Sequence, residues 1–222
     1  ELFGVNAFGQ LVAHVRVAGA ENVDWEDIAA GPCPAGNCLY IGDIGDNAED
    51  RAEVVIYRIP EPSIETDVVP AEAFPVRYPD GPQDAEGLFV LPPDQLFVVT
   101  KGAGRPISIY RYPGSLRAGE VVELELVRRL TDRPVPLSDR VTAADATPDG
   151  RRVALRTRTT LLLYDTDVLL GNVPGEPANV RIEMLGEPQG EGVAFGPRGA
   201  IVLTGEAVAE GFASTLGILW CP

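Results

Sequence analysis

Residues 84–126 carry four short runs in a row: Asp84-Ala85-Glu86-Gly87-Leu88-Phe89, Leu96-Phe97-Val98-Val99, Ile107-Ser108-Ile109-Tyr110-Arg111 and Val122-Glu123-Leu124-Glu125-Leu126. Gly, Pro and Asp separate them, so each run reads as a β-strand and each gap as a turn. The first three are mainly apolar, as strands buried on both faces are, and the fourth alternates as a half-wetted edge strand does.

Working outward, the same order recurs. Strand starts resembling the first run are Asp24-Trp25-Glu26-Asp27-Ile28-Ala29, Thr142-Ala143-Ala144-Asp145-Ala146-Thr147 and Gln189-Gly190-Glu191-Gly192-Val193-Ala194. Second strands follow at Leu39-Tyr40-Ile41, Val153-Ala154-Leu155 and Ile201-Val202-Leu203, and third strands at Val54-Val55-Ile56-Tyr57-Arg58 and Leu161-Leu162-Leu163-Tyr164-Asp165. Alternating fourth strands are expected at Phe74-Pro75-Val76-Arg77-Tyr78 and Val180-Arg181-Ile182-Glu183-Met184.

Four strands repeated about every 50 residues are the signature of β-propeller blades. Helical periodicity is nowhere sustained, so the fold class is all-β, with a sandwich or a barrel as the alternatives to a propeller. The whole chain, 1–222, reads as one propeller domain of four-stranded antiparallel blades. Complete blades are expected at about 22–80, 81–138 and 139–187, with partial blades at 1–21 and 188–222. Leu2-Phe3-Gly4-Val5 and Gln10–Val17 look like third and fourth strands that help to close the ring. Five blades are favoured and four remain open.

The 222 residues hold 18 Lys+Arg against 33 Asp+Glu, a net charge of −15, which argues against nucleic acid or an anionic membrane surface as the main partner. A small anionic substrate or a protein partner is expected instead, on a monomer. No run of about 18 apolar residues marks a membrane span, and neither a span nor a signal peptide is expected within these residues. The 24 Gly and 20 Pro fit a chain of many turns and short elements.

Cys33 and Cys38 bracket a short Pro/Gly loop that can bring their Cα atoms within disulfide reach, the alternative being two reduced thiols. A disulfide implies a secreted, periplasmic or cell-surface home. Cys221 is left over. Zinc is disfavoured because the chain has one histidine, His14, and that residue alternates onto the polar face of its strand. The same scarcity leaves a Ser-His-Asp or Cys-His hydrolase little to build on, and neither a nucleophile elbow nor a phosphate-binding glycine loop occurs.

What recurs is a carboxylate at the start of each innermost strand: Glu26 with Asp24 and Asp27, Glu86 with Asp84, Asp145, and Glu191. In a propeller these strands line the central channel, and converging carboxylates are costly to bury unless a cation compensates them. Hard oxygen donors of this kind suit calcium. The alternative is that these acids only hydrogen-bond neighbouring blades. Gly42-Asp43-Ile44-Gly45-Asp46-Asn47 forms a second acidic cluster, either a further calcium ligand set around Asp43 or an Asx-rich turn. Lys101, Arg156 and Arg158 fall near the ends of second strands, placed to contact an oxyanion or to pair with the acids.

The motifs Asp84-Ala85-Glu86-Gly87-Leu88, Leu96–Lys101 and Ile107–Arg111 resemble a blade of the β-propeller phytases and the wider phytase-like esterase family, and Pro188-Gln189-Gly190-Glu191-Gly192 is similar to another of their motifs. The resemblance implies calcium bound in and over the channel by Glu86 and Glu191, extending to Glu26 and Asp43. It also implies phosphomonoester hydrolysis by metal-activated water. Two functions are thus expected: an extracytoplasmic calcium-dependent hydrolase, or a non-catalytic propeller that binds a ligand or partner with a structural ion.

Overall fold

In the computed structural model, which describes residues 1–34, 36–187, 189–207 and 214–220, strand accounts for 52% of the chain and helix for 6%. Five small sheets stand in a ring, a five-blade β-propeller. Cys221 and the first residue of the Pro188–Gly192 motif lie outside the described residues.

The strands are β1 (Leu2–Val5), β2 (Leu11–Ala18), β3 (Trp25–Cys33), β4 (Gly36–Asp43), β5 (Val54–Pro60), β6 (Val68–Pro70), β7 (Glu72–Arg77), β8 (Ala85–Leu91), β9 (Gln95–Thr100), β10 (Ser108–Arg111), β11 (Val122–Glu123) and β12 (Glu125–Arg129). There follow β13 (Val141–Ala146), β14 (Arg152–Thr157), β15 (Thr160–Asp165), the short helix α1 (Thr166–Leu169), β16 (Ala178–Arg181), β17 (Gln189–Phe195), β18 (Ala200–Glu206) and β19 (Thr215–Trp220). The sheets run β1-β2-β6, β3-β4-β5-β7-β11, β8-β9-β10-β12, β13-β14-β15-β16 and β17-β18-β19.

Blade membership departs from the even four-strand repeat. Val68–Pro70 leaves the second blade and pairs in parallel with Arg16–Ala18 of the first, where Val69 packs beside Val15 and Val17. The expected strand Val122–Leu126 is split. Val122 and Leu124 enter the core between the second and third blades, so β11 joins β7 in parallel and only Glu125 onward pairs with β10. The expected strand at Val180–Met184 ends at Arg181, and residues 183–185 form a 3-10 turn.

Four apolar clusters seal successive junctions of the ring. Val15, Val17, Ile41 and Tyr57 join the first and second blades, and Tyr40, Phe74, Leu88 and Val98 join the second and third. Phe89, Val99, Ile109 and Leu155 join the third and fourth, and Ala143, Leu161, Val193 and Leu203 the fourth and fifth. Removal of this surface from water is the main force holding the blades together. The Cys33–Cys38 disulfide closes the β3–β4 hairpin, with 5.8 Å between Cα atoms. Among the described residues no helix is long and apolar enough to cross a membrane.

Candidate functional site

Each of the four innermost strands β3, β8, β13 and β17 skips one residue in its pairing with the next strand. The skips fall between Trp25 and Asp27, Ala85 and Gly87, Val141 and Ala143, and Gly190 and Gly192. Such a β-bulge leaves one residue out of the ladder and re-aims its side chain. The four bulged residues are therefore Glu26, Glu86, Thr142 and Glu191. All four line one cavity of about 910 Å³, together with Asp24, Lys101, Arg140, Arg158 and Glu206.

The bulges correct the alignment of the third repeat. Thr142, and not the Ala144-Asp145 pair, is the counterpart of Glu26, Glu86 and Glu191, and Arg140 is the counterpart of Asp24 and Asp84. Asp145 lies deeper in the ladder, where it accepts a hydrogen bond from the Phe195 amide at 2.6 Å. Burial raises its carboxyl to about 6. Asp27, one position past its bulge, accepts from the Leu88 amide at 2.8 Å and the Ala144 amide at 3.0 Å. One carboxyl group thus ties the second, third and fourth blades, and its burial pushes its pKa well above the ordinary value. These two acids hydrogen-bond neighbouring blades.

The cavity acids are arranged differently. Lys101, at the end of β9, bridges Asp84 at 3.2 Å and Glu86, and donates to Asn47 Oδ1 at 3.1 Å. Glu26 lines the cavity together with Glu86, each from its own side of the junction between the second and third blades, and the negative charge of Glu86 helps to raise the Glu26 carboxyl. Burial, then the charges of Glu86 and Asp24, push Glu26 up to about 9. Burial also raises Glu86, and the Lys101 ammonium that pairs with it opposes the rise. Glu191 is raised, again chiefly by burial. Gly45 makes the close approach possible: a Cβ there would strike the Glu26 and Asp24 carboxyl groups.

Thr142, which also lines the cavity, is only 4% exposed and its hydroxyl has no hydrogen-bond partner among the described residues. Arg140 Nε is buried without one as well. Buried polar groups are nearly always satisfied, so these two orphans, on residues that line one cavity, are groups with hydrogen-bonding capacity to spare.

Two residues expected at the site serve the scaffold. Arg156 is 0% exposed and donates from Nη1 to the Gly192 carbonyl at 2.7 Å and the Thr204 carbonyl at 2.9 Å, while Nη2 pairs with Glu187. Its guanidinium clamps the fourth blade to the fifth and is not free for an oxyanion. Gly190 passes so close over it that a Cβ would overlap the guanidinium. Asp43 is likewise buried and engaged, accepting from the Val23 and Asp24 amides at 3.0 Å each and from Arg51 at 3.0 Å. Lys101 and Arg158 do reach the cavity.

For calcium the donor chemistry of the cavity acids suits. Among the described residues no set of three His, Cys, Asp or Glu side chains is placed to hold a metal ion. Lys101 compensates Asp84 and Glu86.

No family model and no curated protein matches the sequence. Solved structures are similar to it. One is the periplasmic gluconolactonase of Pseudomonas aeruginosa, 13% identical with a TM-score of 0.47 over 97% of this chain and 61% of that one. Another is a Bacteroides uniformis protein described as a candidate 6-phosphogluconolactonase, 9% identical with a TM-score of 0.42 over 86% of this chain and 70% of the other. The chain spans about three fifths of the length of the first of these. The resemblance to phytase-like propellers is not confirmed.

Thr142 and Arg140 escaped the sequence reading because neither is a carboxylate. The signal that finds them is the bulge offset: each sits where Glu and Asp sit in the β3 and β8 repeats.

Proposed function

We propose that the chain is an extracytoplasmic propeller hydrolase that cleaves phosphate or carboxylate esters of small polar molecules in the cavity at the channel mouth. The observation that carries this reading is one cavity lined by Glu26, by Glu86 in its ion pair with Lys101, and by Thr142, whose hydroxyl has no partner among the described residues. Pairs of titratable groups whose surroundings push them apart supply an acid and a base at one pH. Glu86, ionised beside Lys101, takes a proton from water as the water oxygen bonds to the ester carbon or phosphorus. Glu26 then gives its proton to the departing alkoxide as the ester bond breaks. Thr142, Arg140 and Arg158 donate to the oxygen on which charge develops, where fixed donors are worth most. The disulfide supports a location outside the reducing cytoplasm.

The test is turnover of p-nitrophenyl acetate, p-nitrophenyl phosphate and a simple lactone by the wild type and by Glu86→Gln, each in calcium and in chelator. Turnover in chelator that disappears in Glu86→Gln supports the acid pair. Turnover only in calcium moves the chemistry to the calcium-dependent reading. Ligand binding with no turnover in either condition leaves a binding propeller.

A further inference from the structure

A narrower slot of about 240 Å³ adjoins the cavity, and Trp25, Glu26, Glu191 and Thr204 face both spaces. Its remaining walls include Leu2 from the first blade, Ile28 and Ile41 from the second, and Gly192 from the fifth. The slot therefore lies where those three blades meet. Among the described residues, none of the four buried apolar clusters spans the junction between the fifth and first blades, beside which the slot lies. Ile28 is 43% exposed on an innermost strand, next to Ala29, which is 1% exposed. An apolar side chain lining a slot that opens on a polar reaction space calls for apolar material that arrives with the substrate.

We propose that the slot takes an aliphatic chain on the acyl side of the substrate, which makes the substrate class carboxylate esters or lactones that bear such a chain. The inference rests on the hydrolase reading and narrows it: an ester group held at Glu26 directs its chain past Glu191 and Thr204 into the slot. At roughly 30 Å³ for a water-sized group, the slot has room for about eight, so chains of about six to eight carbons fill it. Hydrolysis of the ester adds one water across the acyl C–O bond and needs no other reactant.

The experiment is a series of p-nitrophenyl esters from acetate to dodecanoate. A kcat/KM that climbs roughly two- to fourfold per methylene, following the transfer free energy of a buried CH₂, and then levels at about six to eight carbons is expected. Ile28→Asp, and Leu2→Asp on the wall from the first blade, lower the octanoate-to-acetate ratio of kcat/KM by about tenfold or more. A profile flat with chain length, with acetate turned over, overturns the slot and leaves the hydrolase standing. If no ester is turned over, the hydrolase reading fails and calorimetry with octanoate and acetate decides the slot. Octanoate bound more tightly than acetate, and weakened by Ile28→Asp, upholds it; equal or absent binding overturns it.

Discussion

The Glu26 and Glu86 carboxyl groups line one cavity from either side of the junction between two blades, and the charge of Glu86 helps to keep a proton on Glu26. Their strands are not adjacent in one sheet. They come together because the same bulge at the head of β3 and of β8 turns both side chains toward one mouth of the channel. A small backbone irregularity, repeated, thus sets the electrostatics of the site.

If Glu86 is the base, Glu86→Gln lowers kcat by about 10²-fold or more, the usual worth of a placed general base. Glu26→Gln lowers kcat too, and it abolishes the loss of rate at alkaline pH because no acid remains to titrate. Profiles of kcat between pH 5 and 10 for the two variants check this, and an unchanged alkaline limb in Glu26→Gln contradicts the assignment.

Stability follows from the same proton. Glu26 titrates near 4.5 when unfolded and at about 9 when folded. Between those values the folded state keeps a proton that the unfolded state has lost, so stability falls as pH rises through this window and changes little from this group outside it. Melting temperatures from pH 5 to 9.5 should decline in the wild type and decline less in Glu26→Gln. Parallel curves would remove Glu26 as the cause.

Asp27→Leu should cost more than its size suggests. It leaves the Leu88 and Ala144 amides without their acceptor, at about 1–3 kcal/mol for each buried donor. Asp27→Asn keeps an acceptor oxygen and should be milder. Urea midpoints for the two variants measure the difference; equal loss in both shows that the amides find other partners.

Gly190→Ala should unseat Arg156, since the added Cβ would occupy the guanidinium's place. Loss of the contacts to the Gly192 and Thr204 carbonyls and to Glu187 should destabilise the chain by about 2–4 kcal/mol, the range for breaking a buried network. Chemical denaturation reads this directly, and a wild-type midpoint would mean that the clamp has little energetic weight.

The propeller was legible because blades repeat as alternating and apolar runs, a pattern that survives in each segment. Glu26, Glu86 and Glu191 were legible because each stands at the head of such a run. The third repeat misled because Asp145 offered a carboxylate to align, and chemical likeness outweighed register; the bulge at Val141–Ala143 placed Thr142 at the mouth instead. Arg156 could not be assigned from sequence, since an arginine that clamps two carbonyls and one that faces solvent look alike in a strand. The exchange of β6 and β11 between blades was also hidden, because a strand's pairing partner is decided by its spatial neighbours and not by its own alternation.

The parallel pairing of Val68–Pro70 with Arg16–Ala18 has a consequence for the order of assembly. As the chain is made from its N-terminus, the first sheet receives its outer strand only after β3, β4 and β5 of the second have been synthesised. The β1–β2 hairpin therefore stays half-covered until Pro70 has been made, and the second sheet, which takes in β7 and β11, is complete only once Glu123 has been.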